Sequence, residues 1–423
     1  MENYVACHVH TVYSTQDSIS TPKQIVDAVI KNGHSACAIT DHGSMSGTYV
    51  FQEECLKAGI KPLLGMEGYF VDQLSTLDEN GKRKRIKNNH LIMLAKNEDG
   101  WKALLKLNYL SNKDEEHFYY KPRNSFDELF KINQEHKGGL IISSACLASP
   151  FSNLLKLGKE EEAVKLFEKF CYEFGEDFYA ELQLNEISEQ KDYNNWLISQ
   201  ATHYGVPLII TGDCHYTTKD GAAAQEIMFN IRKEDENEIG QEFACRNLYY
   251  HNISDFKQFN KQWNYGYTDS QIESWCGNTV DIANKVSYII PQRTKMLLPR
   301  MAYDEDDEMI KLSKEGLSKH FNCKYEECPK EYREQLEKEL RLFVKKGIAR
   351  YLLCLADTLK WCDENKISRG CARGSGGGSL TLTCMGITKW SVDMIKNKLI
   401  FERFVSEERL PNCMIDYSKS GQL

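Results

Sequence analysis

The sequence predicts an α/β fold, a barrel built from strand–helix units, followed by a second domain. Three observations lead to this prediction. Up to about residue 215, short apolar runs alternate with longer amphipathic stretches, a pattern typical of parallel strands joined by helical crossovers. Metal-binding residue types lie at or near the ends of most of these runs. Beyond a connector-like segment at 288–300, which contains two prolines, apolar residues recur at helical spacing.

The predicted strands are seven apolar runs bounded by polar segments. They lie at residues 4–9, 36–40, 62–66, 91–95, 140–144, 178–184 and 207–211. Seven strand–helix units are enough to close a barrel on the (β/α) plan, although the same pattern also fits an open sheet. Between about residues 220 and 300 the apolar residues follow no clear period, so we expect irregular structure in that stretch.

The region after the connector predicts two helices. Four apolar residues from Tyr332 to Phe343 are spaced by four, four and three positions, which places them on one face of an amphipathic helix. A second helix is expected over 351–365, before a glycine-rich loop. We therefore predict two domains, 1–285 and 286–423.

Composition excludes several classes of protein. The chain has 423 residues, of which 41% are hydrophobic and 27% charged, the balance of a globular protein. No apolar run approaches the roughly 20 residues that span a bilayer, and the first residues do not resemble a secretory signal. Fifteen cysteines without a CxxC pair argue against a disulfide framework or a structural zinc finger. We expect a reducing, cytoplasmic location and no membrane partner.

The net charge of −8 is distributed unevenly along the chain. Basic residues outnumber acidic ones over 341–410, so the rest of the chain is the more acidic part. This asymmetry fits a metal-binding, carboxylate-rich first part and a phosphate-facing last part. Because charged stretches are often only solvated surface, it serves as a supporting observation.

Side chains that bind metals cluster around the predicted strands. His8 and His10 lie two apart in the first strand, so both imidazoles point to the same face, and Asp213 and His215 repeat this spacing after the seventh. Five further candidates lie at or near other strand ends: Asp17, His42, Glu67, His90 and Cys146. Because strand ends of a barrel meet at one mouth, we predict a shared metal site there. The remaining candidates are assigned to surface or core: His34, His117, His136, His203, His251 and His320.

The chemistry of such a site follows from its charges. Clustered divalent ions polarise a phosphoryl oxygen, lower the pKa of a bound water and neutralise a leaving oxygen. Mixed imidazole, carboxylate and thiolate ligands suit zinc, manganese or iron better than magnesium. We therefore hypothesise phosphoester hydrolysis.

Six segments of the first domain resemble the successive motifs of the PHP domain, in the version that opens the alpha subunit of bacterial DNA polymerase III. They are HVHTVYSTQD, ITDHGSMSG, GMEGYF, NNHLIMLAKNEDGW, SSACLAS and GDCHY. The resemblance implies a distorted seven-stranded barrel with up to nine ligands for three metal ions. Those nine fall on the candidates named above, His8, His10, Asp17, His42, Glu67, His90, Cys146, Asp213 and His215, with none substituted. It also implies a 3′→5′ exonuclease that trims misincorporated primer ends.

A glycine-rich loop, SRGCARGSGGGSL at 368–380, is the second candidate site. Its glycines allow backbone N–H groups to approach an anion, and Arg369 and Arg373 add positive charge. With GIARYLLCLADTLKWCDENKI before it and LIFERFVSEERLP after it, the loop resembles the palm of the same polymerase family, an α+β nucleotidyltransferase domain related to DNA polymerase beta. The resemblance implies that Gly374 and Ser375, beside Arg373, contact the triphosphate of an incoming nucleotide.

The resemblance fails at the palm's catalytic carboxylates. The family has two aspartates separated by one residue after Pro411, and this chain has Met414 at the first position and Asp416 at the second. A thioether cannot replace a carboxylate that bridges two hard cations, so we expect Asp416 alone to be catalytic. We predict a partial palm that cannot extend a primer by itself. Mg²⁺ is expected there only if a complete polymerase assembles.

Three explanations of the incomplete palm remain open. The chain is a split-gene product completed by a second polypeptide, a truncated or degenerate homologue, or a standalone PHP enzyme with a vestigial palm. Its expected partners are the 3′ end of a DNA primer and, if the palm is completed, a deoxynucleoside triphosphate. The alternative functions are a phosphatase acting on a small phosphorylated metabolite and a replication scaffold without catalysis.

Overall fold

The computed structural model describes residues 3–75, 79–83, 86–231, 245–291, 298–372 and 374–407. The chain divides into two compact units, Met1–Pro291 and Gln292–Leu423. Within the part of the chain that is described, no helix has both the length and the apolar character needed to cross a membrane.

The first unit is built on one eight-stranded sheet. Its strands are β1 Ala36–Ile39, β2 Lys61–Val71, β3 Asn89–Ala95, β4 Phe118–Tyr119, β5 Lys121–Ser125, β6 Leu140–Ser143, β7 Phe178–Gln183 and β8 Leu208–Thr211. They are hydrogen-bonded in the order β4-β5-β2-β3-β6-β7-β8, and β1 pairs with the first half of β2. The six predicted internal runs all contain a strand, which confirms that part of the prediction.

The N-terminal segment, residues 6–10, joins the two ends of this sheet. Ala6 bridges to Cys37 in β1, and Val9 bridges to Cys214 just beyond β8. The backbone N–H of His10 also donates to the carbonyl of Cys214 over 2.8 Å. The N-terminal segment closes a ring with six strands, β1, β2, β3, β6, β7 and β8. The predicted barrel of seven strands is therefore confirmed, and the alternative of an open sheet is not.

One strand runs against the prediction of an all-parallel barrel. β3 is antiparallel to both of its neighbours, β2 and β6, whereas the pairs β1–β2, β6–β7 and β7–β8 are parallel. The prediction was wrong here because the direction of a strand leaves no trace in its local apolar pattern. The reversal brings the first residues of β3 to the rim where the parallel strands end.

Ten helices of the first unit lie among the residues described. They are α1 Pro22–Lys31, α2 Thr48–Lys57, α3 Glu98–Asn112, α4 Phe126–Glu135, α5 Pro150–Lys156, α6 Glu160–Phe174, α7 Ser188–Tyr204, α8 Gly221–Ile231, α9 Ile253–Gln262 and α10 Asp269–Lys285. The last three contradict the predicted irregular structure. Local signals mark two of them, since Asn252 and Thr268 form capping boxes at the starts of α9 and α10.

The described residues of the second unit form a helical core. Its helices are α11 Glu305–Phe321, α12 Lys330–Lys346, α13 Ala349–Glu364 and α14 Leu380–Cys384. Both predicted helices are confirmed, and the apolar face from Tyr332 to Phe343 is buried. Helix α12 ends at Gly347, whose φ of 62° is the left-handed conformation that favours glycine at a helix end.

Candidate metal centre

All nine predicted ligands lie at one rim of the barrel in the first unit. The ring of strands explains the convergence, because each ligand belongs to the N-terminal segment, a strand or the loop after it. His8 and His10 come from the N-terminal segment and Asp17 from the loop that follows it; His42 follows β1, Glu67 lies in β2, His90 in β3, Cys146 after β6, and Asp213 and His215 after β8. Because β3 is reversed, His90 reaches this rim from the start of its strand.

The carboxylate of Glu67 lies at the centre of the cluster and is fully buried. Its Oε2 is 2.6 Å from Nδ1 of His42, and its Oε1 is 3.0 Å from Nδ1 of His90. The Oε1 atom also lies 3.6 Å from Nε2 of His8 and 3.9 Å from Sγ of Cys146. A carboxylate among several candidate ligands would help to hold a divalent metal ion and would balance part of its charge.

Asp213 occupies a similar position on the other side of the N-terminal segment. Its Oδ1 lies 3.1 Å from Nε2 of His8, 3.3 Å from Nε2 of His10 and 3.5 Å from Nδ1 of His215. Asp213 has a φ of 48°, a left-handed conformation that is uncommon outside glycine. Strained backbone of this kind persists where the surrounding structure fixes a functional side chain.

Asp17 extends the cluster outward. Its Oδ2 lies 3.3 Å from Nε2 of His42, and its Oδ1 lies 3.8 Å from Nε2 of His215. The rings of His10, His42 and His215 offer a third set of donors at this end, with ligand atoms that lie within 4.8 Å of one another. The same holds for the set of His8, His10 and Asp213 and for the set of His42, Glu67 and His90.

Several buried atoms of the cluster have no hydrogen-bond partner. They are Nδ1 of His42, Oε2 of Glu67 and Oδ1 of Asp213. The first two are close together but do not meet in hydrogen-bonding geometry. Unpaired buried polar atoms are costly, and imidazole nitrogens that converge with carboxylate oxygens form a donor set that fits divalent cations once the imidazoles have lost their protons. The residues present therefore fit the divalent metals predicted for this site.

Burial and neighbouring charges shift the pKa values of the cluster in different directions. Burial lowers the pKa of His10, and the neighbouring His42 and His215 reinforce this, to about 3. Burial also disfavours the charged form of His42, but Glu67 and Asp17 outweigh it and raise the pKa of His42 to about 10. Burial and the nearby carboxylates raise the pKa of the Cys146 thiol, so a thiolate there requires a cation. A metal would displace protons from His42 and Cys146.

Glu181, which the sequence analysis missed, supports the cluster through hydrogen bonds. Its Oε1 accepts a hydrogen bond from Nδ1 of His8 over 2.6 Å and another from the hydroxyl of Thr211 over 2.6 Å, and its Oε2 accepts one from Ser143. These contacts fix the imidazole of His8 with Nε2 toward the cluster. The sequence did offer a signal for Glu181, because it is a carboxylate within the apolar run that forms β7, and every residue of β7 is buried.

A second supporting network holds His10. The hydroxyl of Ser14 donates to Asp41 over 2.7 Å and lies 3.0 Å from Nδ1 of His10. Asp41 also accepts from the backbone N–H and the hydroxyl of Thr11. Because Ser14 donates to Asp41, it accepts from Nδ1 of His10, which leaves Nε2 of that ring with a lone pair for a metal. Asp41 precedes the candidate ligand His42 and was also missed.

A cavity of about 760 Å³ opens at the metal rim, with Asp17 and His42 in its wall. We call it the tyrosine groove. Its remaining wall is formed by Tyr13, Thr15, Gly43, Ser44, Ser46, Tyr69, Leu105, Asn108, Tyr109, Asn112, Lys113, Phe118, Tyr120, Lys121 and Pro122. The groove gives a substrate direct access to two candidate ligands.

The glycine-rich loop of the second unit is organised differently. Gly374 has a φ of 82°, and Ser375–Gly378 form a single 3-10 turn before α14. Arg369 is held by Asp363 through two hydrogen bonds of 2.9 and 2.7 Å and is buried, so its charge neutralises Asp363. The predicted residues Arg373 and Asp416, with Met414, lie outside the described residues.

Comparison with known proteins identifies the class of the first unit. Residues 6–185 match the PHP domain family, and residues 307–422 match the bacterial DNA polymerase III alpha NTPase domain. A two-domain protein from Bacteroides vulgatus containing a predicted PHP-like metal-dependent phosphoesterase is 16% identical, with a TM-score of 0.31, over 50% of this chain and 52% of that one. Residues 6–185 therefore belong to the PHP domain family.

Full-length relatives identify the family more closely. The chain is 33% identical to the DNA polymerase III subunit alpha of Aquifex aeolicus, over 100% of this chain and 36% of the relative. It is also 33% identical to the subunit of the same name from Borreliella burgdorferi, over 99% of this chain and 35% of the relative. The chain therefore corresponds to the N-terminal portion of the DNA polymerase III alpha subunit, and it spans about a third of the length of these relatives.

Proposed function

We propose that this chain is a metal-dependent phosphodiesterase that removes nucleotides from the 3′ end of DNA. The observation that carries the proposal is the cluster of buried ligand atoms on His42, Glu67 and Asp213, which meets an open groove at His42 and Asp17. Relatives named DNA polymerase III subunit alpha supply the context of DNA replication. The free cysteines among the described residues suit a cytoplasmic enzyme.

The nine candidate ligands would hold a group of divalent ions, for which we propose zinc, manganese or iron and a number of three. Such ions supply Lewis-acid activation of water and neutralise charge on a phosphoryl group. Glu67 and Asp213 keep carboxylates between the imidazoles, and Glu181 and Ser14 keep His8 and His10 in the orientation that ligation needs. The groove admits the phosphodiester beside Asp17 and His42.

The first experiment compares wild type with His8→Ala after metal loading, by metal analysis and by digestion of 3′-labelled single-stranded DNA. His203→Ala is the matched control, because His203 is exposed on α7, outside the cluster. We expect His8→Ala to lose bound metal and nuclease activity, and His203→Ala to keep both. Equal nuclease activity in the wild type and His8→Ala would refute the proposal.

The same purified proteins separate the two alternatives. A phosphatase for small metabolites predicts metal-dependent release of phosphate from small phosphomonoesters with no digestion of DNA. A scaffold predicts metal-dependent thermal stability with no product from either substrate. Either result contradicts the nuclease proposal.

We also propose that the second domain, 286–423, is a partial palm that does not synthesise DNA by itself. The proposal rests on the match of residues 307–422 to the polymerase family and on Met414 at the position of the first catalytic aspartate. Gly374, Ser375 and Arg373 would contact a nucleotide triphosphate only in a completed polymerase, with Asp416 and Mg²⁺. Template-directed incorporation of deoxynucleotides by the purified chain would contradict this.

A further inference from the structure

The tyrosine groove carries more aromatic surface than a metal centre requires. Tyr109 and Tyr120 are 62% and 70% exposed, and Phe118 beside them is 49% exposed. Tyr109 lies on the outward face of α3, where Leu105 and Asn112 also face the groove at helical spacing. Exposed large rings grouped on one wall mark a surface that binds a ligand with flat, apolar faces.

The backbone at Tyr120 supports a role in binding. This residue sits between β4 and β5 with a φ of 62°, a conformation in which a bulky aromatic residue is uncommon. Asparagine or glycine fits such a position with less strain. A strained residue that presents a largely exposed ring at the edge of a cavity is typical of a ligand contact.

The charges of the groove favour an anionic chain. Its basic residues are Lys113 and Lys121, and among the described residues of its wall the only acid is the candidate ligand Asp17. The ammonium of Lys121 lies 5.4 Å from the centroid of the Tyr69 ring, and the same ring stacks on His42 at a centroid distance of 5.8 Å. The groove thus places the positive charge of Lys121 near the ring that stacks on the candidate ligand His42.

We propose that the tyrosine groove binds the terminal nucleotides of a single DNA strand and makes the metal centre selective for polynucleotides. The inference rests on the proposed phosphodiesterase function and names its selecting residues. Tyr109 and Tyr120 stack on bases, and Lys113 and Lys121 contact the phosphates that precede the one being cleaved. Base stacking on aromatic side chains tolerates any sequence, as a trimming enzyme needs.

The test begins with binding, because it does not depend on catalysis. The full chain, carrying His8→Ala to prevent cleavage, is titrated into a labelled oligothymidylate of about eight nucleotides and followed by fluorescence anisotropy. Tyr109→Gln preserves the helix, and Tyr120→Asn suits the left-handed backbone. We expect the pair of changes to raise Kd about tenfold or more. Tyr172→Gln, at an 86% exposed tyrosine on α6, is the matched control.

Unchanged oligothymidylate binding in the Tyr109→Gln/Tyr120→Asn protein would overturn the inference. Lys121→Gln provides a second measure, since loss of one phosphate contact should weaken binding and reduce the slope of log Kd against log salt by about 1. A slope equal to that of the control protein would also count against it.

Hydrolysis then separates this inference from the proposed function. With His8 intact, the two tyrosine changes should lower kcat/KM for oligothymidylate about tenfold and leave kcat/KM for bis(p-nitrophenyl) phosphate within about twofold of wild type. An equal loss on both substrates would show that the groove does not select polynucleotides. If wild type cleaves neither substrate but binds oligothymidylate through the tyrosines, the phosphodiesterase proposal fails and the binding site stands.

Discussion

The two units each bury a glutamate, and the surroundings of the two carboxylates are opposite. Glu67 in the barrel lies among imidazoles; burial alone would raise its pKa, but His90, His42 and His8 outweigh burial and lower it. Glu339 on α12 accepts from the hydroxyl of Ser379, two backbone N–H groups and the amide of Gln335, and burial raises its pKa all the same.

The difference shows what a buried carboxylate does in each place. Both oxygens of Glu339 have hydrogen-bond donors, so the residue caps the short helix α14 after the glycine-rich loop and needs nothing more. Glu67 retains an unpaired buried oxygen beside an unpaired imidazole nitrogen of His42. The complete hydrogen bonding of Glu339 fits a structural carboxylate, and the position of Glu67 among imidazoles fits one that binds a cation.

The variant Glu67→Gln gives the strongest test of the difference between Glu67 and Glu339. We expect it to lower nuclease activity at least about 10³-fold, because ligands of one cluster act as a unit. Metal analysis of the same protein should show fewer bound ions than wild type. Wild-type metal content and activity would mean that Glu67 is a core residue like Glu339.

Glu339→Ala should have the reverse profile. Removing the acceptor leaves buried donors around Ser379 unpaired and is expected to lower the free energy of unfolding by about 2–4 kcal/mol. Urea denaturation measures this, with Glu334→Ala, at an exposed position of the same helix, as the control. Metal content and nuclease activity under native conditions should stay at the wild-type level, and a loss of metal would contradict the structural role.

Glu181→Gln tests a residue that orients the candidate ligand His8 and is not itself a candidate ligand. An amide at this position places N–H groups against the donors of Thr211 or His8, so the orientation of His8 is lost. We expect metal affinity to fall about 10–100-fold, as for other residues that orient a ligand. Competition with a chelator of known affinity measures the change, and Glu176→Gln, at an exposed position, is the comparison. Equal affinities would remove Glu181 from the metal centre.

The smallest expected effect concerns His251, a buried histidine of the first unit. Burial lowers its pKa to about 4, below the value of about 6.5 in an unfolded chain. The folded state therefore takes up its proton less readily, and stability present above pH 6.5 is lost as pH falls toward 4. Between pH 7 and pH 5 the loss is about 2 kcal/mol. His251→Phe should reduce the pH dependence by that amount, and an unchanged pH profile would argue against this origin.

The sequence predicted which side chains would lie close together better than it predicted the direction of the strands that carry them. His, Asp, Glu and Cys near strand ends are visible as residue types, and all nine meet in space. The reversal of β3 was invisible because an apolar run has no direction. This reversal explains why His90, at the start of β3, lies at the same rim as residues at the ends of the other strands. Glu181 was missed because a single carboxylate within an apolar run looks like a break in the apolar pattern and not like a buried functional group.

The second unit shows the opposite balance. Its helices followed from apolar spacing, whereas the partners of its charged residues did not. Arg369 was expected to add charge to the glycine-rich loop, but it pairs with Asp363. This contact depends on the turn after α13, which the apolar spacing does not specify. The buried acceptor Glu339 was missed for the same reason, since its donors lie about forty residues away.

The N-terminal segment has a consequence for how the candidate metal centre assembles. It supplies His8 and His10, and it takes its place only by pairing residue 9 with residue 214. During synthesis the first two ligands leave the ribosome early and must wait for some two hundred further residues before their partners exist. The full set of candidate ligands therefore exists only in chains in which the barrel has closed. A prematurely terminated product would carry His8 and His10 without the rest of the centre.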